Sequence, residues 1–259
     1  MRTWNAVSTG RHPLVLIVLS AFWLATVANV PLWRHVAQLP ELQNARGLAF
    51  AAGFGVALFL LIVAVLSVFA WRWSLKPVLT LFFVSAAAGA YFMLSYGVVI
   101  DSTMMVNVMQ TDPREAGELL NWRLLAVLVL LGVFPSVVAW RFKVRPLGFV
   151  RGLATQWGVA MLALVAMVGV VLLIFQDFSS VMRNHTQVRY LINPLNSFYA
   201  IGMVATKHKR IDSGVVKPLG IDAKLVAGRP GDKPPLIVLV LGETARAASF
   251  GINGYQRPT

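Results

Sequence analysis

The chain has 259 residues, of which 58% are hydrophobic and only 13% are charged, and its formal net charge is +13 at pH 7. Because a typical globular domain carries about 25% charged residues, this composition excludes an ordinary soluble domain, and its apolar content excludes intrinsic disorder. The chain has no cysteine, which excludes a disulfide scaffold and cysteine-ligated zinc within it.

Long uncharged stretches occur at five places along the chain. Residues 47–71, 77–100 and 152–176 contain no Asp, Glu, Lys or Arg, and residues 14–33 and 124–140 form two shorter uncharged runs. A helix that crosses the hydrocarbon core needs about 20 apolar residues. We therefore predict an α-helical membrane domain at residues 1–176, with five transmembrane helices at about 14–33, 47–71, 77–100, 121–140 and 153–175. Pro135 is expected to kink the fourth of them, and the first is interpreted as an uncleaved anchor rather than a signal peptide.

The distribution of basic residues predicts the orientation of these helices. With the N-terminus in the cytoplasm, most Lys and Arg residues of the short loops lie on the cytoplasmic side. An odd number of crossings then places everything after Gln176 on the opposite side. The positive net charge is explained by this topology and by contact with membrane lipids, so no nucleic-acid partner is expected.

The loop at residues 101–120 is acidic, unlike the rest of the chain. Asp101 and Ser102 can begin a short helix, and an apolar face along it predicts that the helix lies on the bilayer surface. That face consists of Met104, Met105, Val108 and Met109. A second short helix is predicted to follow, with Asp112 as its N-cap, Pro113 at its first position and Glu115 at its third.

Asn107, Thr111 and Glu115 are the candidate binding residues of this loop. One interpretation is that Glu115 only completes a capping box with Asp112. The other is that the three side chains converge on a lipid head group. Glu115 would pair with an ammonium group, and the amide and hydroxyl would bond phosphate oxygens. The two interpretations of Glu115 are compatible if only one of its carboxylate oxygens caps the helix.

After Gln176 the chain becomes polar and is interpreted as a bridging segment at residues 177–235. A helix is predicted from about Leu195 through Met203, and residues 228–235 have the composition of a linker. The apolar run at 236–241 is typical of a buried strand in a parallel sheet. Glu243 follows it, at the sheet edge where α/β domains bind ligands, and is a candidate metal ligand, although a solvated loop carboxylate is the alternative. Because the chain stops at Thr259, residues 236–259 are expected to be the start of a truncated α/β domain.

Several stretches resemble one known family. Residues 240–259 (VLGETARAASFGINGYQRPT) resemble the opening of the periplasmic catalytic domain of the phosphoethanolamine–lipid A transferases. These enzymes belong to the alkaline phosphatase/sulfatase-like superfamily and include the mobile colistin-resistance enzymes. Residues 96–121 are similar to the family's second outer loop, and residues 183–200 and 220–228 resemble its bridging segment.

The resemblance implies a function. Glu243 would be a zinc ligand, and Asn107, Thr111 and Glu115 would help to hold the donor, phosphatidylethanolamine. A threonine nucleophile would take phosphoethanolamine from the donor and pass it to lipid A, which would give resistance to polymyxins and other cationic peptides. The protein would lie in the bacterial inner membrane, with its C-terminal part in the periplasm.

In the family, the nucleophilic threonine and the remaining metal ligands lie downstream of the position where this chain ends. No catalytic residue is therefore assigned, and the 259-residue chain is expected to be inactive alone. Two alternatives stay open: a transferase that acts on the core sugars of lipopolysaccharide, and a non-enzymatic membrane anchor or interaction module. A transporter is disfavoured because no charged residue lies in the middle of a predicted span.

Overall fold

The computed structural model describes residues 10–71, 73–145, 147–207 and 249–256, together with residues 221, 224 and 238. Contacts divide the chain into two units, Met1–Asp212 and Ser213–Thr259. In the described residues of the second unit the one regular element is a 3₁₀ turn, Gly251–Asn253. The predicted linker at 228–235, almost all of the predicted strand at 236–241, and Glu243 lie outside the described residues.

The described part of the first unit is helical. Its α-helices, in chain order, are α1 (Pro13–Ala25), α2 (Val30–Ala37), α3 (Ala45–Val68), α4 (Leu75–Tyr96), α5 (Ser102–Gln110), α6 (Pro113–Glu118), α7 (Trp122–Val127), α8 (Phe134–Arg141), α9 (Phe149–Leu173), α10 (Phe175–Asn184), α11 (Gln187–Tyr190) and α12 (Leu195–Lys207). The helix predicted to begin near Leu195 is α12, and it continues one turn beyond the predicted Met203.

Five helical stretches are long and apolar enough to cross a membrane, as predicted. They are Pro13–Ala37, Ala45–Val68, Leu75–Tyr96, Trp122–Arg141 and Phe149–Leu173. The third ends four residues before the predicted boundary at residue 100. Gly97, the next residue, adopts a left-handed conformation with φ of 64° and ends the helix. Glycine reaches this conformation without steric strain because it has no Cβ.

The first span is interrupted near its middle. A 3₁₀ turn, Val27–Asn29, separates α1 from α2, and Pro31 lies in the first turn of α2. Proline has no N–H to donate and its ring crowds the carbonyl four residues earlier, so a regular helix cannot continue through this point. The Thr26 hydroxyl donates to the Phe22 carbonyl at 2.6 Å and satisfies one of the backbone groups at the end of α1.

The fourth span contains a π-helical stretch, Leu128–Val133, directly before Pro135. Pro135 has no N–H to donate back into this stretch, which suits a wider turn in the helix; the kink expected at Pro135 stays a prediction. The Ser136 hydroxyl donates to the Gly132 carbonyl at 2.6 Å. Gly132 lies close against α4, since a Cβ built on it would be 3.3 Å from the Val84 Cα. The wider turn thus brings backbone to backbone between the third and fourth spans.

The spans pack mainly through small residues and buried apolar side chains. α9 lies along α3, and its buried positions are Gly152, Gln156, Ala160 and Ala163. Small residues let two helix backbones approach closely where lipid provides no hydrophobic drive for association. The remaining surface of α9 is largely exposed, which makes it the least buried of the five spans.

A buried pair of amides fastens the segment after the fifth span to the first span. The Asn193 backbone N–H donates to Asn29 Oδ1 at 2.9 Å, and Asn29 Nδ2 donates to the carbonyls of Leu24 and Asn193. Asn193 Nδ2 donates to the Ala28 carbonyl at 3.1 Å and to the Ala86 carbonyl at 2.6 Å. Both asparagines are fully buried. We call this group of bonds the asparagine joint; it connects α1, α4 and the approach to α12.

Basic residues gather at the end of the bundle opposite α5. The backbone N–H of Arg11 donates to the Lys143 carbonyl at 2.9 Å, and the backbone N–H of Arg145 donates to the Arg11 carbonyl at 2.9 Å. At the same end, Lys76 Nζ donates to the Trp140 carbonyl at 2.8 Å. This arrangement agrees with the grouping of charges used in the orientation prediction, and the orientation itself stays a prediction.

Candidate functional site

The loop between the third and fourth spans forms two short helices with the predicted caps. Asp101 Oδ1 accepts from the Met104 N–H at 2.8 Å and begins α5. Asp112 Oδ1 accepts from the Arg114 N–H at 3.1 Å and begins α6, with Pro113 at its first position. These carboxylates satisfy N–H groups that a helix start leaves without an intrahelical partner. Asp101 and Asp112 therefore act as helix N-caps in this loop.

Asn107 and Thr111 come together at the C-terminal turn of α5. The Thr111 hydroxyl donates to the Asn107 backbone carbonyl at 2.8 Å. The Asn107 side chain is exposed and that of Thr111 is half-buried, so the Asn107 amide is accessible from outside the bundle. The hydroxyl oxygen of Thr111 keeps its acceptor capacity for a ligand while its proton is bonded to the carbonyl.

Glu115 is the third residue of α6, as predicted. Its side chain lies outside the described part of the chain, so both the capping bond to Asp112 and the approach to Asn107 stay predictions. Glu118, one turn further along α6, is exposed. The backbone thus presents Asn107 on α5, Thr111 in the two-residue turn after it, and Glu115 on α6.

The apolar residues of α5 divide into two groups. Met104 and Met105 are half-buried, whereas Val108 and Met109 are 54% and 70% exposed. Exposed apolar side chains next to the exposed Asn107 suit a helix that contacts the head-group region of a bilayer. The predicted location of α5 on the membrane surface rests on this pattern.

Two asparagines that the sequence analysis did not assign to the site hold the loop in place. Asn196 Nδ2, at the start of α12, donates to the Ile100 carbonyl at 2.6 Å, directly before α5. Asn121 Nδ2 donates to the Tyr91 hydroxyl at 2.5 Å, while its Oδ1 caps α7 by accepting from Leu124. The capping role of Asn121 has a local sequence signal. The bond from Asn196 crosses almost a hundred positions, so local spacing offers no signal for it.

No group of three His, Asp or Glu side chains that could hold a metal ion occurs within the described ranges. Glu243, the predicted zinc ligand, falls outside them. The assignment of zinc to Glu243 stays a prediction.

We expect Asp101→Ala to loosen α5. The substitution removes the 2.8 Å cap to Met104, which corresponds to about 1 kcal/mol of local helix stability. Hydrogen–deuterium exchange of residues 102–110 should become faster by about five-fold, while α9, which packs along α3, exchanges unchanged. Equal exchange in α5 before and after the substitution would contradict the capping role.

The sequence model of a known family matches this chain over residues 58–209, which is more than half of its length. The family is described as phosphoethanolamine transferase EptA/EptB. The matched region includes the last eleven residues of α3, all of α4, the whole α5–α6 loop and the asparagine joint residue Asn193. The match thus covers the candidate site and the start of α12, which holds it.

Curated relatives and a solved structure agree with this match. The chain is 36% identical over 257 residues to phosphatidylethanolamine transferase Mcr-2 of Escherichia coli, covering 96% of this chain and 46% of the relative. It is 28% identical over 248 residues to phosphoethanolamine transferase EptA of Escherichia coli K12, covering 95% and 45%.

The fold is also similar to that of a solved structure, the integral membrane protein lipooligosaccharide phosphoethanolamine transferase A of Neisseria meningitidis. The TM-score is 0.80 at 29% sequence identity, and the similarity covers 94% of this chain and 45% of that protein. The chain spans about half the length of the relatives that it matches. With five membrane-spanning helices and a family match through the α5–α6 loop, the chain is a multi-pass membrane protein that belongs to the phosphoethanolamine transferase EptA/EptB family.

Proposed function

We propose that this chain forms the membrane part of a transferase that moves phosphoethanolamine from phosphatidylethanolamine to lipid A. The family match across residues 58–209 carries the proposal, because it includes the loop whose exposed polar side chains suit a zwitterionic lipid head group. The name of the relative Mcr-2 supports phosphatidylethanolamine as the donor.

The α5–α6 loop holds the donor head group in this proposal. The exposed Asn107 amide donates to a phosphate oxygen, and the Thr111 hydroxyl adds a second polar contact beside it. The Glu115 carboxylate pairs with the ammonium group, a charge-assisted hydrogen bond that is about twice as strong as a neutral one. Val108 and Met109 contact the bilayer surface, which keeps Asn107 at the height of the phosphate groups.

The transfer exchanges an ester bond of phosphorus for a phosphoanhydride bond. The bond between phosphorus and the diacylglycerol oxygen breaks, a bond to an oxygen of the acceptor phosphate forms, and diacylglycerol leaves with the acceptor's proton. Glu243 is proposed as one ligand of a zinc ion, which would supply Lewis-acid stabilisation of charge on the phosphorus oxygens.

The proposal also implies a location and a membrane orientation for the protein. The end of the bundle that carries α5 faces the periplasm, and the basic end with Arg11 and Lys143 faces the cytoplasm, in the bacterial inner membrane. The product carries an added ammonium group and less negative charge than lipid A. It therefore binds cationic peptides such as polymyxins less tightly.

Mass spectrometry of lipid A tests the proposal. A polymyxin-sensitive bacterium that expresses the complete gene product containing this chain is expected to accumulate lipid A with one added phosphoethanolamine group. Its resistance to polymyxin should rise together with that species. Unmodified lipid A in the presence of membrane-inserted protein would contradict the proposed acceptor, and phosphoethanolamine on the core sugars instead would favour the alternative acceptor.

A further inference from the structure

A polar cleft lies at the same end of the bundle as α5, but between other elements. It has a volume of about 250 Å³ and lies among α2, the end of α4, the turn after it, and α11. Its polar lining consists of Arg34, His35, Gln38 and Gln187. We call it the α2 cleft. None of these four residues belongs to the α5–α6 loop.

The polar side chains of the α2 cleft can all donate hydrogen bonds. Arg34, Gln38 and Gln187 are exposed, so their guanidinium and amide groups can turn towards a ligand without breaking the packing of the bundle. His35 Nε2 is buried and has no hydrogen-bond partner within the described structure. A buried nitrogen of this kind usually has a partner in a native structure.

The charge of the α2 cleft is opposite to that of the donor loop. The described residues that line the cleft include Arg34 and no Asp or Glu, whereas the α5–α6 loop carries carboxylates. A zwitterionic head group needs an acidic partner for its ammonium, and the cleft offers none. A phosphate group that carries two negative charges and no ammonium suits the cleft better, because arginine and amide N–H groups match phosphate oxygens.

The apolar part of the cleft fits the same kind of ligand. Met93 and Val99 line it beside the polar residues, and Leu94, which is 43% exposed, continues the lining on α4. A lipid phosphate can therefore reach Arg34 while the adjoining apolar part of the molecule contacts α4. A free ion would gain nothing from that apolar wall.

We propose that the α2 cleft binds the phosphomonoester group of an anionic membrane lipid. If the proposed transfer is correct, this lipid is the acceptor, and the α2 cleft and the α5–α6 loop hold the two lipid substrates separately. The assignment as the acceptor site rests on the proposed function. The preference for a phosphomonoester rests only on the residues of the cleft.

Binding of short-chain lipids to the detergent-solubilised 259-residue chain tests this proposal by native mass spectrometry. Dioctanoyl phosphatidic acid, which carries a phosphomonoester, is the probe, and dioctanoyl phosphatidylethanolamine is the comparison lipid. Arg34→Gln is expected to weaken phosphatidic acid binding about ten-fold, since it removes a charged donor. Gln187→Leu, on a different element, should weaken it about five-fold, and Arg34→Lys should retain most of the affinity.

Arg183→Gln is the matched control, because it removes an equal charge from an exposed position on α10 at the same end of the bundle. It should leave phosphatidic acid binding unchanged, and thermal unfolding of each variant verifies that the chain is folded. An equal loss of phosphatidic acid affinity in Arg34→Gln and Arg183→Gln would overturn the proposal. Unchanged phosphatidic acid affinity in Arg34→Gln would also overturn it. Displacement of the lipid by an equal concentration of inorganic phosphate would also overturn it, because the site would then bind an ion. Since no turnover is measured, these outcomes are independent of the lipid A test.

Discussion

Replacing Glu115 with glutamine is expected to weaken phosphatidylethanolamine binding by about ten-fold to a hundred-fold. Glutamine at the third helical position can still complete a capping box, so α6 should persist. The carboxylate charge that pairs with the donor's ammonium is lost. The substitution therefore separates the two roles left open for Glu115. Binding of dioctanoyl phosphatidylethanolamine to the 259-residue chain measures the effect, and diacylglycerol release by the complete gene product should fall in parallel.

Glu118→Gln provides the control for this experiment. It makes the same chemical change on the same helix, at an exposed position outside the proposed binding group. Donor binding by Glu118→Gln should remain within about two-fold of the unmodified chain, as rim charges contribute little. If Glu115→Gln bound the donor as well as Glu118→Gln does, Glu115 would serve only as a cap, and the proposed ammonium contact would have to be abandoned.

Asn29→Ala is expected to lower the free energy of unfolding by about 2 kcal/mol. The substitution removes the acceptor of the Asn193 N–H and the donor to two carbonyls, all of them fully buried. Each of these groups then lacks a partner in a place that water does not reach. The asparagine joint should open first, which exposes the approach to α12. Thermal unfolding in detergent, followed by tryptophan fluorescence, measures the loss.

Asn184→Ala is the comparison for the joint. Asn184 is exposed at the end of α10, and its side-chain amide donates to the Ser180 hydroxyl over a long distance of 3.4 Å. Its removal should change the unfolding midpoint very little. Equal midpoints for Asn29→Ala and Asn184→Ala would show that the buried amides do not hold the first span to the later segment.

The membrane spans could be predicted from the sequence because their signal is local. A run of apolar residues of the required length is sufficient, and the uncharged stretches at 47–71 and 77–100 contain nearly all of α3 and of α4. The caps Asp101 and Asp112 were predictable for the same reason, since an N-cap and its N–H partner lie within three residues. The break at Asn29 was not predicted, although Pro31 is a local signal for it.

The contacts that position the candidate site could not be predicted from local patterns. Asn193 forms a hydrogen bond with Asn29, which lies 164 positions earlier in the chain, and Asn196 donates to the Ile100 carbonyl, 96 positions earlier. In a sequence, such asparagines look like the start of a helix. The α2 cleft is also formed by three segments that are distant in the chain, so neither its lining nor its charge is visible in any one stretch. The resemblance to a family marked the segment around Asn193 but gave no partner for it.

The π-helical stretch Leu128–Val133 has a consequence for how related chains should be aligned. A π turn accommodates one more residue than an α turn within the same helix, so it behaves as an insertion absorbed without a loop. A relative with a regular helix here should be one residue shorter between Trp122 and Arg141. Deleting one residue without losing the π turn would instead rotate the following segment by about 100° and carry Trp140 away from Lys76. Gaps in this span are therefore best placed inside residues 128–133.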